Sequence, residues 1–327
     1  MMKRRTLLKG AVFAGGAWAT GAAGAARASG FPDRALQWTV PYPPGGATDS
    51  VARAIGASMG ANLGHPVVIV NRPGGATNIG TDAVIQAPAD GHTFLLAVPP
   101  LVVNPALYPD LGYDPMRALR GVGLVALNPN VLVVPSDSPF KTPQELFQAA
   151  RERPDTITIA SPGIGTVPHL VSLLIGQELD VQVVPVPYKG SAALLPDLIS
   201  GRVDAAMDNL FAQATHVKNG SVRALATLGD TRSPLLPDVP SMTELGLSQL
   251  SGMGWIGLAV RSDTPDERVA RLERALLQAA QDPDNIARLE SMGLQVQPED
   301  RQTFQARLDR EAELWQSTVR RANVTVG

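Results

Sequence analysis

The sequence predicts an α/β protein of two domains built on mostly parallel sheets. Three observations carry this reading. Apolar, strand-like runs alternate with helix-period segments almost to the end of the chain, and glycine-rich turns join several strands to the helices after them. The length, 327 residues with 44% apolar and 18% charged side chains, suits two cores better than one.

The elements follow in order. LQWTVPYP (36–43) reads as a strand and runs into Gly45-Gly46-Ala47-Thr48. In the segment DSVARAIGASMGANL that comes next, Val51, Ile55, Met59 and Leu63 recur at helical spacing and form one buried face. PVVIVNRP (66–73) is a second strand, followed by another Gly-Gly-Ala-Thr and a helix through Ile85, and HTFLLAV (92–98) is a third strand. TITIAS (156–161), a helix after Pro168, VQVVPVPY (181–188), a helix around Leu194–Ile199, RVDAAMD (202–208) and VRALATLG (222–229) repeat the alternation. Near the end, Phe304, Leu308, Trp315 and Val319 mark one face of a helix that should pack back on the first lobe.

Two segments resemble each other. VLVVPSDSPFKTPQELFQAAR (131–151) and WIGLAVRSDTPDERVARLERAL (255–276) each read as an apolar strand, then Ser-Asp, then Thr-Pro-x-Glu opening a helix. Thr142 and Thr264 are the expected capping residues, with proline at the first helical position. Either these are two well-capped helices and nothing more, or both strands cross between lobes at equivalent places.

Residues 1–28 form the three-part pattern of an export signal: basic MMKRRTLLKG, a small apolar run, and Ala26-Arg27-Ala28 as a cleavage site before Ser29. Arg4-Arg5-Thr6-Leu7-Leu8-Lys9 resembles a twin-arginine signal, the alternative being an ordinary export signal with two arginines. The whole chain carries 28 basic and 30 acidic residues; losing Lys3, Arg4, Arg5, Lys9 and Arg27 leaves 23 basic residues and a formal charge of −7. With no basic stripe interleaved by aromatics, nucleic acid is not an expected partner. An anionic ligand would have to be held by local dipoles against the overall field.

Catalytic patterns are missing. There is no G-x-S-x-G elbow, and His65, His92, His169 and His216 stand too far apart for a ligand motif. The absence of cysteine excludes thiolate metal sites and a thiol nucleophile. Gly163-x-Gly165 begins like a dinucleotide fingerprint, but Pro168 takes the place of its third glycine. Neither an enzyme, a cofactor nor a metal is expected. What remains is a set of glycine turns at Gly45-Gly46, Gly74-Gly75 and Gly163/Gly165, which a parallel sheet places along one edge. Helix starts there present free N–H groups and the positive dipole end to a carboxylate or other anion. Asp49 reads either as a cap of its own helix or as a ligand contact.

These residues resemble the Bug-type solute-binding proteins of tripartite tricarboxylate transporters. Pro41-Tyr42-Pro43-Pro44-Gly45-Gly46-Ala47-Thr48-Asp49, Val70-Asn71-Arg72-Pro73-Gly74-Gly75, Ser161-Pro162-Gly163-Ile164-Gly165-Thr166 with His169, and Val186-Pro187-Tyr188-Lys189-Gly190-Ser191 with Asp208-Asn209 carry the likeness, which covers essentially the whole mature chain. The resemblance implies an α/β protein of type II periplasmic-binding-protein fold, two lobes joined by two crossover strands with the ligand cleft between them. The expected divisions are 29–134 with 255–327 for lobe 1 and 135–254 for lobe 2. It further implies a periplasmic monomer that captures a small carboxylate by lobe closure and delivers it to membrane permease subunits of a tripartite tricarboxylate-type transporter. The alternative is a sensor presenting its closed form to a membrane receptor. The ligand-binding residues so implied are Pro44, Gly45, Gly46, Asp49, Asn78, Gly163, Gly165, Thr166, His169, Tyr188 and Asp208.

One departure stands out. Where the family has a Ser- and Thr-rich stretch, this chain reads Val98-Pro99-Pro100-Leu101-Val102-Val103 before Asn104-Pro105. Hydroxyl donors are lost at a place expected to face the cleft, so the expected ligand is less polar at its far end than citrate, a monocarboxylate or an aromatic acid; the alternative is a rebuilt loop in which waters or backbone take over.

Overall fold

Two sheets share one strand order, and the chain passes between them twice. The computed structural model describes residues 30–324 and 326. The export segment and its expected cleavage point lie outside the described residues, and residues 32–327 cluster as one unit.

The elements of the first half are β1 (Leu36–Val40), α1 (Ala47–Leu63), β2 (Val67–Asn71), α2 (Asn78–Ile85), β3 (Thr93–Ala97), α3 (Pro100–Leu107), α4 (Pro115–Ala118) and β4 (Leu119–Asn128). Then come β5 (Asn130–Pro135), α5 (Pro143–Glu152), β6 (Ile157–Ser161), α6 (Val167–Leu179), β7 (Val183–Pro187), α7 (Ser191–Ile199), β8 (Ala205–Asn209), α8 (Leu210–Lys218) and β9 (Val222–Thr227). The chain closes with β10 (Gly254–Arg261), α9 (Asp266–Ala280), α10 (Pro283–Ser291), β11 (Gln295–Glu299) and α11 (Arg301–Arg321).

The first sheet runs β2-β1-β3-β10-β4-β11 and the second β7-β6-β8-β5-β9. In each, three parallel strands meet an antiparallel fourth, β10 or β5. That fourth strand is the one the chain delivers from the other sheet. β5 and β10 are therefore topologically equivalent, which accounts for the internal similarity of the segments that contain them. Because β5 pairs with β8 and β9, residues 130–134 belong to the second sheet, and the first passage falls at Pro129 instead of after residue 134. An apolar run such as VLVV states that it is buried, not which sheet it joins.

Val51, Ile55, Met59 and Leu63 are all buried, and α1 ends at Gly64 in the left-handed region, φ +73°. Phe304, Leu308, Trp315 and Val319 are buried too, and α11 packs on β4 and α3 while also touching α6. Thr142 caps α5 as expected, accepting from Glu145 N at 3.2 Å. Thr264 does not cap α9: that helix starts at Asp266, Pro265 O accepts from Arg268 N and Val269 N, and the Thr264 carbonyl accepts from Arg120. Proline there sits one place before the helix, leaving the threonine too early to reach its first N–H groups.

Six elements escaped the sequence reading: α3, α4, β4, α8, α10 and β11. α3 begins at Pro100, where fixed φ and a missing N–H suit a first helical residue. β11 is the polar edge strand QVQPE, antiparallel to β4. Among the described residues no helix is long and apolar enough to cross a membrane.

The α11 contact depends on glycine. A Cβ at Gly257 of β10 would strike the Phe304 ring and lie 2.8 Å from Gly123 O. Gly257→Ala is expected to destabilise the fold by roughly 1–3 kcal/mol through overpacking, read as a lower urea midpoint with an unchanged slope.

Candidate functional site

The first Pro-Gly-Gly-Ala-Thr is a turn held by a carboxylate. Gly45 adopts φ +88°, and its N–H donates to Asp49 Oδ2 at 2.9 Å. Asp49 is 3% exposed and also accepts from Arg53 Nε and Nη2 at 2.9 and 3.0 Å and from Asn71 Nδ2 at 2.9 Å. Burial alone would raise this carboxyl, but the bonds from Arg53, Gly45 and Asn71 outweigh it and hold it at about 2. The carboxylate is thus engaged within the protein, tying the turn to α1 and to the end of β2.

The second Pro-Gly-Gly-Ala-Thr braces instead of cradling. Ala76 and Thr77 take positive φ of 50° and 81°, and the Ala76 carbonyl accepts from Asn104 Nδ2 at 2.8 Å. Asn78 Oδ1 accepts from the same amide at 2.7 Å, and Asn78 O accepts from Tyr113 at 3.2 Å. This turn pins α3.

On the second sheet, Gly165 takes φ +77° with Leu107 of α3 so close that a Cβ would lie 2.6 Å from its Cδ1. Gly163 O accepts from Thr166 Oγ1 at 2.7 Å, and His169 Nδ1 accepts from Gly165 N at 3.4 Å. Burial pushes His169 down to about 4, so it is neutral near pH 7 and supports the turn without a charge. Asp208 is fully buried and accepts from Ser191 Oγ (2.6 Å), Gln213 Nε2 (2.7 Å) and Asn209 N (2.8 Å); burial raises its carboxyl. Tyr188 donates to Asp197 at 2.8 Å.

Between the sheets lies a cavity of about 370 Å³. Ala47 and Thr48 of α1, Pro99 and Pro100 at the start of α3, Thr166, Val167 and Pro168 at the start of α6, and Asn209, Phe211 and Ala212 at the start of α8 all line it. Its floor is the two passages, through Asn128, Asn130, Gly254, Trp255 and Ile256. None of the described residues lining it carries a charged side chain. The Ala47, Thr48, Phe211 and Ala212 N–H groups find no acceptor among the described residues, whereas Leu210 N donates to Pro129 O at 2.9 Å. Side chains do not cap α1 or α8, unlike α5, α10 and α11, which are closed by Thr142, Asp282 and Asp300. The arrangement can hold an anion with backbone dipoles alone.

Residues 51–324 match the model of the Tripartite tricarboxylate transporter family receptor, TctC. The chain belongs to this family. A Pseudomonas protein from the tcbD–tcbE intergenic region is 37% identical over 317 residues, covering 97% of this chain and 94% of that protein. Among solved structures, an R. palustris protein with adipate is 30% identical with a TM-score of 0.74, the match covering 90% of this chain and 100% of that one. MatC from Rhodopseudomonas palustris with bound malate is 31% identical with a TM-score of 0.71, covering 88% and 100%. TctC receptors are solute-binding proteins, and the two-lobe α/β fold of this chain is theirs.

Of the eleven residues the sequence singled out, Thr166 lines the cavity itself. Pro44, Gly45, Gly46, Gly163 and Gly165 shape the turns beside it, and Asp49, Asn78, His169, Tyr188 and Asp208 are bonded to neighbouring protein groups. Sequence reasoning passed over Tyr42, Asn128, Asn130, Asn209, Phe211 and Trp255. The one available signal was position: several follow directly on a strand end or a motif glycine.

Asp49 has a folded value of about 2, below its ordinary 3.8, so its network stabilises fully above the ordinary value and is lost as pH falls through the lower one. Asp49→Asn is expected to cost roughly 1–3 kcal/mol at neutral pH. Thermal melts of both proteins should converge as pH drops from about 5 to about 2.

Proposed function

We propose that the mature chain, residues 29–327, is a periplasmic solute-binding protein that closes on a small carboxylate and delivers it to a tripartite tricarboxylate-type permease. Cleavage near Ala28/Ser29 releases it as a monomer. Lobe 1 carries the first sheet and lobe 2 the second. The observation that carries this reading is the meeting of the α1, α6 and α8 first turns at one cavity between the sheets. A carboxylate there accepts from backbone N–H groups of both lobes, so binding favours the closed arrangement. Tyr42 adds a donor: burial pushes its phenol up to about 12, keeping it protonated. The Gly45-Gly46 and Gly163–Gly165 turns set where those N–H groups stand, and Asp49, Asn78, His169, Tyr188 and Asp208 hold the turns. Malate and adipate in related structures support the carboxylate class.

A thermal-shift screen of the mature protein against mono-, di- and tricarboxylates tests this. A true ligand at about 100 times its dissociation constant should stabilise the protein by roughly 2.7 kcal/mol. A flat screen on ligand-free protein contradicts the proposal.

A further inference from the structure

The geometry points to a monocarboxylate with a flat, apolar body; this inference rests on the solute-binding role proposed above. The free backbone donors of the cavity stand at the starts of α1 and α8. Ala47 and Thr48 N–H on α1 and Phe211 and Ala212 N–H on α8 are unpaired among the described residues. The α3 side offers none. Pro99 and Pro100 have no N–H, and the next two are spent, Leu101 N on Val98 O at 2.9 Å and Val102 N on Pro99 O at 3.0 Å. Pro168 removes another donor from α6. A second carboxylate reaching α3 would meet no cation and no N–H group, which is a severe desolvation penalty for an ionised group.

The remaining walls suit a ring. Trp255, 1% exposed, stiffens the floor from beneath, its indole turned to α11 with Nε1 donating to Glu311 at 2.7 Å and the ring edge-on to Phe304 at 5.4 Å. Phe211 is 56% exposed yet reaches from the second-sheet side to Gly293 beside β11, where a Cβ would lie 2.6 Å from its own. Ile256, Met292 and Leu294 complete an apolar surface. Flat apolar bodies pack on such aromatic and proline faces.

Calorimetry on the mature protein, freed of co-purified solute, decides the matter with benzoate, hydroxybenzoates, malate, adipate and citrate. The expected result is benzoate or a hydroxybenzoate binding at least about tenfold tighter than any of the di- or tricarboxylates, about tenfold being the step one well-made contact gives. Pro100→Ser, which returns an N–H to the start of α3, should narrow the gap to malate or adipate by about tenfold. Tighter binding of malate, adipate or citrate than of every ring acid overturns the inference and leaves the solute-binding role standing. An unchanged gap in Pro100→Ser overturns the part assigned to the prolines. No binding by any carboxylate overturns both this inference and the role beneath it.

Discussion

Unpaired N–H groups at helix starts are the constraint on which this molecule turns. A parallel strand followed by a helix places the helix N-terminus at the strand's carboxyl end, so a sheet of such units gathers its free donors along one edge. Here two sheets of the same strand order face those edges toward one cavity. Because β5 and β10 each come from the opposite sheet, the cavity floor is the chain's own passage between them. In the proposed function, ligand, hinge and donors therefore share one location.

The charged and motif residues act mainly as supports. Asp49 accepts four hydrogen bonds and so fixes the turn before α1, while Asp208 fixes the starts of α7 and α8 from beneath. His169 does similar work for the Gly165 turn as a neutral base. Keeping these groups internally bonded leaves the cavity without a fixed charge. Its electrostatics then come from backbone dipoles, which cannot be moved by side-chain rotation.

Much of the fold was legible because burial patterns are periodic. The Val51–Leu63 face of α1 and the Phe304–Val319 face of α11 are buried as their spacing required. Pairing is not periodic, so nothing local placed β5 in the second sheet. Proline misled at one helix start and went unread at another: Pro265 precedes its helix by one residue, so Thr264 caps nothing, and Pro99-Pro100, given no element, opens α3. The loss of hydroxyl donors in that segment was visible, but its consequence was not. Val98, Pro99 and Pro100 reach the cavity, whereas Leu101, Val102 and Val103 turn into the core. The site was only partly legible: glycines announce a turn, but the residues that line the cavity are the ordinary ones just after it, such as Ala47, Thr48 and Phe211.

The central claim is that backbone N–H groups of both lobes hold the ligand's carboxylate. Backbone amide chemical shifts, followed by NMR as a bound carboxylate is titrated in, test it most directly. The account predicts that Ala47, Thr48, Phe211 and Ala212 move downfield together, as amides do on donating to an anion. Titration that leaves these four in place and moves amides away from the cavity would contradict it.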